Sequence, residues 1–164
     1  MTAKAIELLD GGVASPSKFF LQVEGASIDK QAHAANPCGQ IGETLAFDRA
    51  VRIGIDYARD QPGTLLIVTA DHAHASQIVG HQTDSNHAGG LLSVLWTADH
   101  SAMTVLYATN AVGRLQDHTG TQVRVAAMGP LADQISGIHD QTDLYWLMAK
   151  ALGERPARDV TSRR

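Results

Sequence analysis

Apolar and polar positions switch between a helical and an extended spacing along the chain, and the switches predict alternating helices and strands. Thr2 can cap a short helix with Ala5, Ile6, Leu8 and Leu9 on one face, and residues 11–18 then predict a loop. Phe19 to Val23, interrupted only by Gln22, and Leu65 to Val68 are apolar runs of strand length, a pattern that suits strands covered on both faces in a parallel sheet. Between them, Leu45, Ala50, Val51, Gly54, Ile55 and Ala58 recur at helical spacing over 43–60, and Gln61-Pro62-Gly63 ends the run. Strand, helix and strand make a βαβ unit, expected to be right-handed. The stretch from Gly80 to Gly90 is polar and irregular. Leu91 to Trp96 and Met103 to Tyr107 then predict short strands separated by Thr-Ala-Asp-His, and Gln122 to Met128 predicts another before Gly129-Pro130. A last helix over Thr142 to Leu152 turns Leu144, Leu147, Met148, Ala151 and Leu152 inward, and the chain beyond Gly153 reads as a frayed tail. The expected class is α/β, with one domain over 1–153 and a flexible tail over 154–164.

Composition narrows the function classes. The chain has 164 residues, 44% hydrophobic and 18% charged, enough to bury roughly 70% of its unfolded surface as one domain. A formal charge of -4 and the lack of a basic block argue against nucleic acid or an anionic membrane as partner; Arg163 and Arg164 do not change that. No apolar run approaches the roughly 20 residues that span a bilayer, and the start Met-Thr-Ala-Lys-Ala-Ile-Glu-Leu-Leu lacks the form of a secretory signal. A single cysteine, Cys38, excludes an internal disulfide but leaves pairing with another chain open.

Candidate chemistry follows the two apolar runs. Open α/β sheets bind ligands beyond the carboxyl ends of their strands. Glu24, Asp29 and His33 follow the first run, and Asp71, His72 and His74 follow the second. Carboxylate oxygen mixed with neutral imidazole is a donor set that suits zinc, whereas all-oxygen sets suit magnesium or calcium. Asp29 and His33, four apart, share a face if that turn is helical. Asp117-His118-Thr119-Gly120 lies in a loop from which His118 can swing back to the same crevice. His81, His87, His100 and His139 read as surface or loop residues, Trp96 and Trp146 as packing residues, and Asp140 with Asp143 as caps of the last helix.

Taken in order, Gln22-Val-Glu-Gly-Ala-Ser-Ile-Asp-Lys-Gln-Ala-His33, Val68-Thr-Ala-Asp-His-Ala-His-Ala-Ser76 and Asp117-His-Thr-Gly120 resemble alkaline phosphatases of the bacterial type. The likeness extends from Met1 to Leu9 through Asn36-Pro-Cys-Gly-Gln-Ile-Gly-Glu43 to Asp140-Gln-Thr-Asp-Leu-Tyr145, leaving out the region around 80–100 and the last ten residues. It implies a three-layer sandwich, with a mostly parallel sheet between helices on both faces. It also implies a phosphate monoester hydrolase with two zinc ions and one magnesium ion, acting through a phosphoserine. By position, Asp29, His33 and His118 resemble ligands of the first zinc, Asp71 and His72 ligands of the second, and Glu24 a ligand of magnesium. His74 falls just outside the ligands, where it could contact a neighbouring carboxylate, and Lys30 falls near the phosphate pocket, acting through water. Members of the family form homodimers, and the complete bacterial enzyme is expected in the periplasm.

The resemblance also implies parts that are not visible here: a serine in an Asp-Ser-Ala setting, a phosphate-clamping arginine, and an aspartate bridging zinc and magnesium. Asp84-Ser85-Asn86 does not follow a strand, and Arg114 reads as a solvated loop residue. The chain is therefore expected to be the carboxyl-terminal portion of such an enzyme, with a complementary amino-terminal half elsewhere. Magnesium would then keep only Glu24 and the second zinc only Asp71 and His72, while the first zinc keeps three ligands. Cys38 resembles a half-cystine whose partner lies upstream, and Ala32 stands where familiar bacterial members carry an acid. An inactive zinc-binding remnant or interaction module, and a phosphomutase or sulfatase relative, are the alternatives.

Overall fold

The structure, a computed structural model, describes residues 1–11, 18–80 and 90–154. His81, Asp84-Ser85-Asn86, His87, most of the polar stretch up to Gly90 and nearly all of the tail lie outside the described residues. In chain order the elements are α1 (Thr2–Asp10), α2 (Ala26–His33), α3 (Pro37–Asp60), β1 (Leu66–Thr69), β2 (Ala73–His74), β3 (Ser76–Val79), β4 (Leu91–Trp96), β5 (Ala102–Tyr107), β6 (His118–Thr119), β7 (Val125–Met128), a 3-10 turn (Ala132–Gln134) and α4 (Gln141–Ala151). The mixture of helix and strand is the expected α/β class. None of the described helices is long and apolar enough to cross a membrane.

Two compact units form. The first comprises Met1–Val23, Ala50–Val68 and Val125–Arg164, and its sheet joins β1 to β7. Gly129 turns the chain at the end of β7 with φ 99, where a Cβ would stand 2.0 Å from the Thr64 carbonyl oxygen, so only glycine fits. Asp140 caps α4 as the sequence predicts: its carboxylate accepts from the Thr142 N–H at 2.9 Å, and the Asp143 carboxylate accepts from the Asp140 N–H at 3.3 Å. The Thr142 hydroxyl, which donates to the Asp140 carboxylate at 2.7 Å, and then the Thr142 N–H hold the Asp140 carboxyl below its ordinary range.

Phe19 to Val23, expected as a strand, belongs to no ladder among the described residues. The βαβ unit built on it is therefore not formed here. The apolar run is real, but strand character needs a hydrogen-bonding neighbour, and no described segment supplies one. Phe19 instead sets its ring against Tyr57, with centroids 6.2 Å apart.

The second unit comprises Glu24–Arg49 and Thr69–Arg124. Its main sheet has three strands in the order β3-β5-β4, and both pairings are antiparallel, so the mostly parallel expectation does not hold there. For β4 and β5 the reason is connection length. A parallel partner needs a crossover of about a dozen residues, whereas β4 and β5 are joined by a tight turn closed by the Thr97 N–H donating to the Ser101 carbonyl at 3.0 Å. His100 occupies that turn with φ 62, and Trp96, expected to pack, stays 76% exposed at the strand end.

One face of this sheet carries the core of the unit: Val105 and Tyr107 pack with Ala35 and Ala75, flanked by Leu91, Leu95 and Met103. Tyr107 is wholly buried, and its hydroxyl donates to Gln40 Oε1 at 2.8 Å while Gln40 Nε2 donates to Ser76 Oγ at 3.0 Å. The relay ties the start of α3 to β5 and β3. Tyr107→Phe is expected to leave the Gln40 carbonyl oxygen without its donor and to lower unfolding stability by about 1–2 kcal/mol, measured as a shifted urea midpoint at unchanged slope.

Candidate metal centre

Three separate stretches of the second unit bring carboxylate and imidazole together. In α2, the four-residue spacing of Asp29 and His33 places both on one face, with His33 Nε2 3.3 Å from Asp29 Oδ2. After β1 the chain runs Asp71-His72-Ala73-His74, with Asp71 and His72 in a bend and His74 in β2. β2 then pairs antiparallel with β6 in a register that sets His74 opposite His118. The short ladder β2–β6 thus carries a histidine from the 118 loop across to the helix end.

Asp29 is the hub. Its Oδ1 lies 3.3 Å from His118 Nε2, 3.4 Å from His74 Nε2 and 3.8 Å from His72 Nε2. His33 Nε2 and His118 Nε2 are 3.1 Å apart, and the His72 and His118 rings stack with centroids 3.6 Å apart. His72 Nε2 also faces Asp71 Oδ2 at 3.3 Å.

Backbone groups decide where the ring protons are. His33 Nδ1 faces the Gln116 carbonyl, which can only accept, so the proton is on Nδ1 and the Nε2 lone pair points inward. His72 is held the same way by the Ala73 carbonyl at 3.2 Å. His74 is reversed: the Ala75 N–H donates to its Nδ1 at 2.8 Å, which puts the proton of the neutral ring on Nε2, facing Asp29. Burial, then the neighbouring His33 ring, push the His74 imidazole below its ordinary range against the pull of Asp29, so the neutral ring is favoured.

By distance alone Asp29, His33, His74 and His118 could hold one ion, their donor atoms all lying within 4.8 Å of one another. The proton on His74 Nε2 removes it from that role; this atom faces Asp29 Oδ1 at 3.4 Å and is itself buried without a hydrogen bond. The remaining atoms suit zinc. Bonds of about 2.0–2.1 Å at tetrahedral angles separate neighbouring ligand atoms by about 3.3–3.4 Å. His33 Nε2 and His118 Nε2 stand 3.1 Å apart, and each lies 3.3 Å from Asp29, His33 from Oδ2 and His118 from Oδ1, so the carboxylate meets the two rings through its two oxygens. Asp29 Oδ1 is buried without a hydrogen bond, and a proton on His118 Nε2 could satisfy only one of the acceptors that face it. A cation would satisfy them together.

The other residues singled out in the sequence stand apart. Glu24 precedes α2 at an exposed position, Lys30 is exposed on α2, and neither belongs to the gathered group. The Asp71 side chain is 85% exposed and meets the cluster only through His72. Cys38 is free and exposed, Arg114 is exposed in its loop, and His139 contacts Ser136 and Asp143 in the first unit. Gln116, which the spacing of charged and ligating residues does not reveal, is almost fully buried and supplies the carbonyl that orients His33.

Comparison with known proteins gives a consistent set of matches. A family model described as alkaline phosphatase matches residues 1–117. Alkaline phosphatase H of Pseudomonas aeruginosa is 52% identical over 155 residues, which cover 94% of this chain and 31% of that protein. The alkaline phosphatase of Escherichia coli is 54% identical over 153 residues, covering 93% of this chain and 31% of that protein. Streptomycin-6-phosphate phosphatase of Streptomyces griseus is 53% identical over 137 residues, covering 84% of this chain and 30% of that protein. Among solved structures, the alkaline phosphatase of the Antarctic bacterium TAB5 superposes with a TM-score of 0.65 at 25% identity, over 93% of this chain and 39% of that one. A variant of that enzyme with magnesium bound gives 0.66 at 25% identity, over 94% and 41%. The chain therefore spans about a third of the length of the curated relatives it matches.

The proton assignments make a direct prediction. In the metal-free protein near neutral pH, nitrogen-15 spectra of the imidazoles should show His33 as the Nδ1–H tautomer and His74 as the Nε2–H tautomer. Matching tautomers in the two rings would contradict the assignment.

Proposed function

Because the chain belongs to the alkaline phosphatase family, we propose that it is the metal-binding, carboxyl-terminal portion of a phosphate monoester hydrolase. Asp29, His33 and His118 hold a first zinc, Asp71 and His72 contribute to a second, and Glu24 contributes to a magnesium site. The observation that carries this reading is the approach of His33 Nε2 and His118 Nε2 to 3.1 Å of each other and to 3.3 Å of the two Asp29 oxygens, with the Gln116 carbonyl turning the His33 lone pair inward.

Zinc, when bound, supplies a Lewis acid that polarises phosphoryl oxygen and lowers the pKa of a coordinated hydroxyl or water. The residues of this chain do the holding. Asp29 neutralises cationic charge and fixes the centre of the site, and the His74 ring lies beside it with Nε2 3.4 Å from Asp29 Oδ1. The backbone carbonyls on His33 and His72 raise the basicity of their inward nitrogens. Lys30, one residue beyond Asp29, adds positive charge near the place where a phosphate group would bind. The substrate class is phosphate monoesters, in keeping with relatives named for phosphatase activity, among them one named for streptomycin 6-phosphate.

Residues 1–153 form part of one catalytic domain, with 154–164 as its tail. The phosphoserine step needs a serine and a phosphate-binding arginine supplied by a complementary amino-terminal half. The complete enzyme is a periplasmic homodimer. In this chain alone, the second zinc and the magnesium keep too few protein ligands for tight binding.

His33→Ala and His118→Ala are each expected to raise the zinc dissociation constant by about 100-fold or more, beyond the roughly 10–100-fold typical of residues that only support a ligand. Equilibrium dialysis with metal analysis measures this, and unchanged zinc content in both variants overturns the ligand assignment. Hydrolysis of a phosphate monoester should be near background for the chain alone and rise when an amino-terminal half is added with zinc and magnesium. Failure of the mixture would favour an inactive zinc-binding remnant, and faster turnover of a sulfate ester would favour a sulfatase relative.

A further inference from the structure

Gln116 is a neutral amide side chain, 1% exposed, in a loop that otherwise faces solvent. Burial of an amide is costly unless its hydrogen-bonding groups are satisfied, and here they are. Oε1 accepts from the Thr109 N–H at 3.1 Å, the Thr109 hydroxyl at 3.2 Å and the Asn110 N–H at 3.2 Å. Nε2 donates to the Asn110 carbonyl at 3.2 Å and the Arg114 carbonyl at 3.3 Å. A flipped amide would set its NH2 group against N–H donors, so a single orientation is allowed.

The backbone of the same residue brackets His33. The Gln116 N–H donates to the His33 carbonyl at 2.8 Å, and the Gln116 carbonyl accepts from His33 Nδ1. Thr109, held by the Gln116 amide, accepts the next N–H, that of Asp117, at 2.7 Å, one residue before His118. Side-chain bonds at Gln116 thus set the peptide that chooses the tautomer of one histidine and launches the other toward it.

Resting on the zinc reading above, we infer that Gln116 is a positioning residue of the metal centre: its buried amide locks the 109–117 loop so that His33 and His118 present their Nε2 atoms together. It touches neither metal nor substrate. Its effect runs through the carbonyl on His33 Nδ1, the kind of outer contact whose loss weakens metal binding about 10–100-fold.

The experiment uses the full chain with Gln116→Met, which keeps volume but removes the amide, and Gln116→Glu, which sets a carboxylate oxygen against the Asn110 and Arg114 carbonyls. Zinc affinity is measured by competition with a chromophoric chelator, and the His33 tautomer by nitrogen-15 spectra of the metal-free protein. The expected result is a zinc dissociation constant raised about 10–100-fold in both variants, with His33 losing its Nδ1–H preference. In a His33→Ala background, Gln116→Met should cost less than it does in the unaltered chain, because only its route through His118 is left. An unchanged affinity and tautomer, or an equal loss in both backgrounds, overturns the inference in favour of a loop staple alone. If Gln116→Met does not fold, Thr109→Val removes one donor to Oε1 and should give a smaller loss in the same direction; no loss there also overturns it. Unaltered zinc affinity in His33→Ala would instead retire the ligand reading, while a tautomer shift in Gln116→Met would leave the positioning of His33 standing.

Discussion

Asp29 sits among the Nε2 atoms of His33, His72, His74 and His118, and only His74 has a proton assigned to the atom that faces it. Lone pairs held at 3.1–3.3 Å repel unless a proton or cation lies between them, so the surrounding chain must hold this group against its own electrostatics. The other features of the second unit can be understood as means to that end. α2 supplies two members at one helical spacing, the bend before β2 and β2 itself supply His72 and His74, and the β2–β6 ladder supplies the last from the far side of the sequence.

Rigidity comes from buried polar groups whose hydrogen-bonding capacity is used. Tyr107, Gln40 and Ser76 link the antiparallel sheet to the start of α3, and Gln116 links the 109–117 loop to the end of α2. Within a low-dielectric interior such groups are costly to leave half-satisfied, which makes each arrangement close to all-or-none. Under the proposed zinc reading that property matters, since ligand atoms displaced by a few tenths of an ångström no longer match the bond lengths zinc accepts.

The chain spans about a third of its curated relatives, and its surfaces are consistent with a portion of a larger enzyme. Ile78 and Trp96 in one unit and Leu8 and Phe20 in the other are more than half exposed. Scattered apolar side chains are ordinary on a protein surface; here Ile78 and Trp96 lie on strands and Leu8 on a helix, places where a further element can pack. Phe19 to Val23 makes the same point for hydrogen bonding: the run has strand composition and lacks a strand beside it among the described residues.

Local physics was legible in the sequence. The helices around Thr2, over 43–60 and over 142–152 follow from apolar spacing, and Asp140 with Asp143 follows from capping chemistry, since these depend on residues within a few positions of each other. The family, and with it the stretches that carry the cluster, follows from ordered motifs such as Glu24 to His33 and Asp71 to His74. What the sequence could not decide were contacts between distant residues. The antiparallel order of β3, β5 and β4 depends on which strands meet, the reversed proton of His74 on a backbone N–H at its Nδ1, and the role of Gln116 on a loop folding back to His33. Each is a directional hydrogen bond whose partner is chosen by the tertiary fold, and a pattern of side-chain types carries no record of that choice.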